Sequence, residues 1–171
     1  NDGRVIFWEL NPLRKVDELE FGPHVYAVAY SPNGKFLAAG FHEDGIHVFN
    51  PATKERIAHL TEQIDSQPSL AFSPRSDYLA VSAHPGGADY QVHLWNTTSW
   101  RNESLAANRS LIGHEQQISR IAWSKSGRQL ASASFDRTIK LWDVPEARLI
   151  HTFDDHRAQV TSVQFTRNDR E

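Results

Sequence analysis

The sequence contains no cysteine and no methionine. Without cysteine there is no disulfide framework, and zinc sites built on thiolates are excluded. The lack of cysteine suits an intracellular protein, cytoplasmic or nuclear. The lack of methionine, even at position 1, leads to the expectation that the chain is a piece of a longer protein. No apolar run approaches the roughly 20 residues that span a bilayer, and no secretory signal opens the chain, so no membrane partner is expected. Neither sign of charge dominates: 18 Lys and Arg face 21 Asp and Glu, for a net −3. That balance offers no general attraction for DNA or RNA and weighs against a nucleic-acid partner.

What the sequence does have is internal repetition. With 171 residues, 39% of them apolar, it is long enough to bury one sizeable core. One pattern recurs four times: Asp2-Gly3-Arg4-Val5-Ile6-Phe7-Trp8-Glu9, Glu43-Asp44-Gly45-Ile46-His47-Val48-Phe49-Asn50, Asp89-Tyr90-Gln91-Val92-His93-Leu94-Trp95-Asn96 and Asp136-Arg137-Thr138-Ile139-Lys140-Leu141-Trp142-Asp143. Its aromatic anchors, residues 8, 49, 95 and 142, are 41, 46 and 47 residues apart. A second pattern interleaves with it, at Val28-Ala29-Tyr30-Ser31-Pro32, Leu70-Ala71-Phe72-Ser73-Pro74, Ile121-Ala122-Trp123-Ser124 and Val163-Gln164-Phe165-Thr166. A third lies between the two, for example Gln129-Leu130-Ala131-Ser132-Ala133. Each piece is short, rich in β-branched or aromatic residues, and bounded by Gly, Pro, Asn, Asp or Ser, which are strand and turn signals. No stretch shows a 3.6-residue apolar period, so little or no helix is expected.

Four antiparallel strands per roughly 40–45 residues is the size of one propeller blade. The segment from Gly113-His114 to Trp142-Asp143 closely resembles a complete WD repeat, and looser matches run along essentially the whole chain. The resemblance to WD-repeat β-propellers implies an all-β fold with blades of four antiparallel strands and an incomplete ring. Residues 1–20 would end one blade, 24–62, 66–112 and 113–154 would form three more, and 156–171 would open the next, giving fifteen strands. Such propellers usually have seven blades. The remaining blades are therefore expected from sequence outside the chain or from another chain, because an open arc exposes apolar faces and strand edges.

The resemblance also assigns His114, Ser132, Asp136 and Trp142 to a buried hydrogen-bond chain. The residue types suit it: an indole donates, a hydroxyl does both, a neutral imidazole does one of each, and a carboxylate accepts. A His, a Ser and an Asp together also invite a hydrolase reading. That reading expects an exposed hydroxyl and an oxyanion site, and Gly-x-Ser-x-Gly is absent, so no catalytic residue is assigned. In the blade of residues 24–62 the quartet positions fall on Phe21, Ala39 and Phe49, which points to apolar packing there. The position of His47 and His93, two before the anchor, carries Lys140 and Ile6 in other repeats and is read as packing. No metal and no cofactor are assigned. Three Asn-x-Ser/Thr triplets, at Asn96, Asn102 and Asn108, are read as part of a polar loop, with glycosylation as the alternative.

In the family, one rim of the ring is lined by positions that flank the first apolar residue of the first strand or that precede the acidic residue of the tight turn. Carried over, these are His24 and Tyr26, Gln117 and Ser119, Gln159 and Thr161, and His42, Ala88 and Phe135. They mark a candidate partner-binding rim, with Phe135 and Tyr26 as its aromatic anchors. The function expected is a non-catalytic scaffold or recognition domain for a protein or peptide. The alternatives are a regulatory or sensor propeller of a larger signalling protein and a structural subunit of a large assembly, with Arg101, Arg109, Arg120 and Arg128 as a local patch for RNA.

Overall fold

A computed structural model of the chain describes residues 3–21, 25–41, 44–60, 68–83, 90–100 and 107–166. Their fourteen strands are β1 (Arg4–Leu10), β2 (Leu13–Glu20), β3 (Val25–Tyr30), β4 (Leu37–Phe41), β5 (Gly45–Phe49), β6 (Arg56–Leu60), β7 (Leu70–Phe72), β8 (Tyr78–Ala83), β9 (Tyr90–Asn96), β10 (Arg109–His114), β11 (Ile118–Trp123), β12 (Gln129–Ser134), β13 (Ile139–Asp143) and β14 (Arg148–Phe153). All pairing is antiparallel between consecutive strands, in one two-stranded sheet, β1–β2, and three four-stranded sheets, β3–β6, β7–β10 and β11–β14. The one helical element among the described residues is a single 3-10 turn at Thr97–Ser99.

A shared local chemistry makes the turn between the first two strands of each four-stranded sheet. Ser31, Ser73 and Ser124 are all buried. Each hydroxyl accepts the backbone N–H that opens the next strand, from Phe36, Tyr78 and Gln129 at 2.9–3.1 Å. Each serine carbonyl accepts the N–H three residues on, from Gly34, Ser76 and Gly127. That third position needs positive φ, which glycine supplies in two turns and Ser76 adopts at +61°.

Successive sheets bury their faces against each other. Ile46, Val48 and Leu60 of the β3–β6 sheet pack on Phe72, Leu79, Val81 and Trp95 of the next. The opposite face of that sheet, with Val92, Leu94 and Leu111, packs on Ile118, Leu130 and Trp142 of the third. Gly40, in β4, lies where a Cβ would sit 3.0 Å from Pro68 Cγ and 3.2 Å from Ile46 Cδ1, so a side chain there would have to push these neighbours back by a few tenths of an ångström. Trp100 lies in the expected polar loop yet is buried, edge-on to Phe36 at 4.9 Å, and so joins the first of these cores.

The fifteenth expected strand, over residues 156–166, does not form a ladder. A strand exists only with a ladder partner, and no described residue offers one there. Val160 alone is held: its N–H donates to the Ser134 carbonyl at 3.1 Å and its carbonyl accepts from Ser119 Oγ at 2.6 Å. Further along, Val163 and Phe165 line an apolar groove of about 290 Å³ with Ala131, Ile139, Leu141 and Phe153.

Candidate functional site

The tight turn between β12 and β13 is the best-organised piece of the chain. Trp142 Nε1 donates to Ser132 Oγ at 2.9 Å. Ser132 Oγ lies 2.7 Å from His114 Nε2, and His114 Nδ1 lies 2.7 Å from Asp136 Oδ2. An ionised carboxylate only accepts, so Nδ1 carries the proton. Nε2 is then the acceptor for the Ser132 hydroxyl, which receives the indole N–H on its other side. Asp136 closes the turn. Its Oδ2 also accepts the Glu115 N–H at 3.1 Å, and its Oδ1 accepts the Thr138 N–H and hydroxyl at 2.8 and 2.6 Å.

Burial disfavours the imidazolium, and for His114 it outweighs the attraction of Asp136, so its pKa falls below the ordinary 6.5. Burial alone would raise the Asp136 carboxyl, but hydrogen bonds from Thr138 and His114 outweigh it and bring the pKa below 3.8. Ser132 is fully buried, and both hydrogen-bonding roles of its hydroxyl are taken. Its oxygen is not presented to a substrate.

The β3–β6 sheet builds the same corner from rings. Phe21 packs on Phe49 at 4.7 Å and on Phe41 at 5.7 Å, around buried Ala39. By strand register Ala39 stands where Ser132 stands, since Ala39 pairs with His47 as Ser132 pairs with Lys140.

The polar network fixes the turn that carries Phe135. The Phe135 N–H donates to the Gln117 carbonyl at 2.9 Å and the Asp136 N–H to Ser134 Oγ at 3.1 Å. Phe135 itself is half-buried, as is Gln117. Tyr26 is exposed and sits at a β-bulge in β3, between Val25 and Ala27. Ser119 occupies the corresponding bulge in β11, but its hydroxyl is bound to the carbonyls of Ala133 and Val160. Gln159 and Thr161 are exposed. His24, His42 and Ala88 lie outside the described residues, as does Arg101. Arg109 and Arg128 line one cleft with Arg75, while Arg120 is exposed on β11 and is not part of it. The Arg109 guanidinium donates to the carbonyls of Val144, at 2.9 Å, and Pro145, and so ties the second four-stranded sheet to the third.

A family profile described as "WD domain, G-beta repeat" matches residues 16–50, 56–96 and 106–143, which is most of the chain. This chain belongs to the WD-repeat family. Each matched WD segment takes in all or most of the last strand of one sheet (β2, β6 or β10) and ends at or just after the third strand of the next (β5, β9 or β13). The four-stranded sheets are thus propeller blades in which the fourth strand comes from the following repeat, and the chain is an arc of a WD propeller rather than a closed ring.

The WD repeat-containing protein VIP3 of Arabidopsis thaliana is 33% identical over 150 residues, covering 83% of this chain and 46% of its own length. The guanine nucleotide-binding protein subunit beta of Zea mays is 26% identical over 176 residues, covering 96% of this chain and 45% of its own. The WD repeat-containing protein SL1-17 of Schistosoma mansoni is 27% identical over 150 residues, covering 87% and 46%. The chain therefore spans about half the length of the curated relatives it matches.

Proposed function

We propose that the chain is part of a non-catalytic WD-repeat platform that binds a protein or peptide partner through the rim bearing Phe135 and Tyr26. The observation that carries this is Phe135. It is a large apolar side chain, half-buried on a turn whose backbone is pinned by its own bonds and by the quartet beneath it. An aromatic side chain on a fixed backbone has less conformational entropy to lose on contact, which favours it as an anchor. The buried, doubly engaged Ser132 hydroxyl supports a non-catalytic reading of the His-Ser-Asp constellation.

The blades outside this chain, in cis or from another chain, would cover its two end faces. Val28 and Tyr30, which pair with Ala39 and Leu37, are exposed on the face of the β3–β6 blade turned away from its neighbour. At the other end the apolar groove beside Phe153 is open. A second reading, a regulatory propeller within a larger signalling protein, is supported by the similarity to a guanine nucleotide-binding protein subunit beta along 96% of the chain.

The test is recovery of partners on the full-length protein, wild type against a Phe135→Ala/Tyr26→Ala double variant. The variant should lose the partner that the wild type retains while keeping its melting temperature. Equal recovery by both would sink the rim assignment.

A further inference from the structure

Along the chain, His47 and His59 are twelve residues apart and form no motif. The ladder makes them directly opposite neighbours on β5 and β6. Their rings stand 4.4 Å apart at 65°. Asp44, in the turn before β5, faces both: its Oδ2 lies 2.9 Å from His47 Nε2 and its Oδ1 lies 3.3 Å from His59 Nε2. One donor atom from each of the three residues lies within 4.8 Å of the others.

We propose that Asp44, His47 and His59 bind a divalent transition-metal ion of the zinc class. Tetrahedral zinc with bonds of about 2.0–2.1 Å holds its ligand atoms about 3.3 Å apart, and the three donor atoms, within 4.8 Å of one another without the ion, would close onto that spacing around it. Two imidazoles and a carboxylate form a donor set that zinc and its neighbours accept, while calcium and magnesium prefer oxygen alone. His47 gives the site its rigidity, packed at 4.8 Å against Phe41 and 6.1 Å against Phe49. Its Nε2 is buried and has no hydrogen-bond partner: the nearby Asp44 oxygen is close enough, but not in line with an N–H. A buried ring nitrogen without a partner is stabilised by a cation it can ligate. Asp44 is exposed and leaves a path from solvent and an open coordination position. In the metal-free state His59 Nε2 lies 2.7 Å from the Asp44 carbonyl oxygen and donates to it. Ligation through Nε2 requires the other neutral tautomer, with that proton on Nδ1.

The other blades put different chemistry at this cross-strand position. The pairs there are Ile6 with Glu18, His93 with Ser110, and Lys140 with Thr152, the last joined by a 3.2 Å hydrogen bond. Among the described residues, two histidines meet only in the β3–β6 blade.

The experiment titrates Zn2+ calorimetrically into the untagged full-length protein, and Co2+ in parallel for its tetrahedral absorption bands. Wild type, His59→Ala, Asp44→Asn and His47→Ala are compared after circular dichroism confirms folding. One equivalent should bind to the wild type, and His59→Ala and Asp44→Asn should each weaken it by more than about tenfold. These two residues are partly or well exposed, so the test stands even where His47→Ala fails to fold. If all variants bind Zn2+ as the wild type does, or the wild type shows no site that the variants lack, the proposal is overturned.

Discussion

Protonating one imidazole in the β11–β14 blade would disturb four side chains at once. With a proton on Nε2, His114 becomes a second donor aimed at Ser132 Oγ, which already receives the Trp142 indole. The sign of the pH effect follows from the two shifts. The pKa of His114 is lowered in the fold, so the unfolded chain takes up the proton first, and stability declines as pH falls below 6.5. The pKa of Asp136 is also lowered, so its contribution is intact above 3.8 and lost as pH falls through the lower folded value. Urea titrations at pH 7.5 and pH 5.5 should show a smaller stability loss for His114→Asn than for the wild type. Asp136→Ala at neutral pH should cost about 1–3 kcal/mol, because the Thr138 and Glu115 donors and the His114 N–H lose their acceptor. A loss within error of zero would show that the chain of hydrogen bonds is dispensable.

At the scale of the strand and its turn, close approach and backbone sign dominate. Gly40→Ala should destabilise the protein by about 1–3 kcal/mol, since the added carbon meets the stiff Pro68 ring rather than a movable side-chain end. Ser76 holds a left-handed conformation while its hydroxyl accepts the Asn33 N–H at 3.1 Å across the blade interface. Ser76→Gly loses that bond but relieves the backbone, whereas Ser76→Ala loses it and keeps the strain. Thermal melts should therefore rank alanine below glycine by about 1 kcal/mol. The elements read most directly from sequence were those with local signals: the Ser-Pro turns, the alternating strands and the recurring aromatic anchor. The resemblance carried by Gly113-His114 and Trp142-Asp143 named the quartet, because one repeat holds it entirely. What remained hidden depends on register. Set beside the same position in other repeats His47 reads as a packing residue, whereas its neighbour His59 comes from a different strand and only the ladder brings it alongside. Trp100 stood among polar residues, and nothing local shows that the loop folds back to place it against Phe36 and Phe72.

Over the whole molecule, most of the exposed large apolar side chains among the described residues lie on the first hairpin and on β3 and β14. Leu13 is 72% exposed on β2 and Val28 is 51% exposed on the end face of the β3–β6 blade. The chain has no cysteine, so an introduced thiol is the only one it carries. In the full-length protein, Val28→Cys should resist alkylation while Leu13→Cys reacts, with the labelled peptides identified by mass spectrometry. Equal reaction would mean that no further blade covers Val28. The offset between repeat and blade has a consequence for how such a chain changes over generations. Duplicating or deleting one repeat keeps four strands in every blade but sets a foreign fourth strand beside an existing third. The seam under selection is then the third-to-fourth strand pair. His47 and His59 lie on opposite sides of that seam, in the segments 16–50 and 56–96. Copying either repeat alone would inherit half of the pair, so this feature belongs to the junction and not to any repeat.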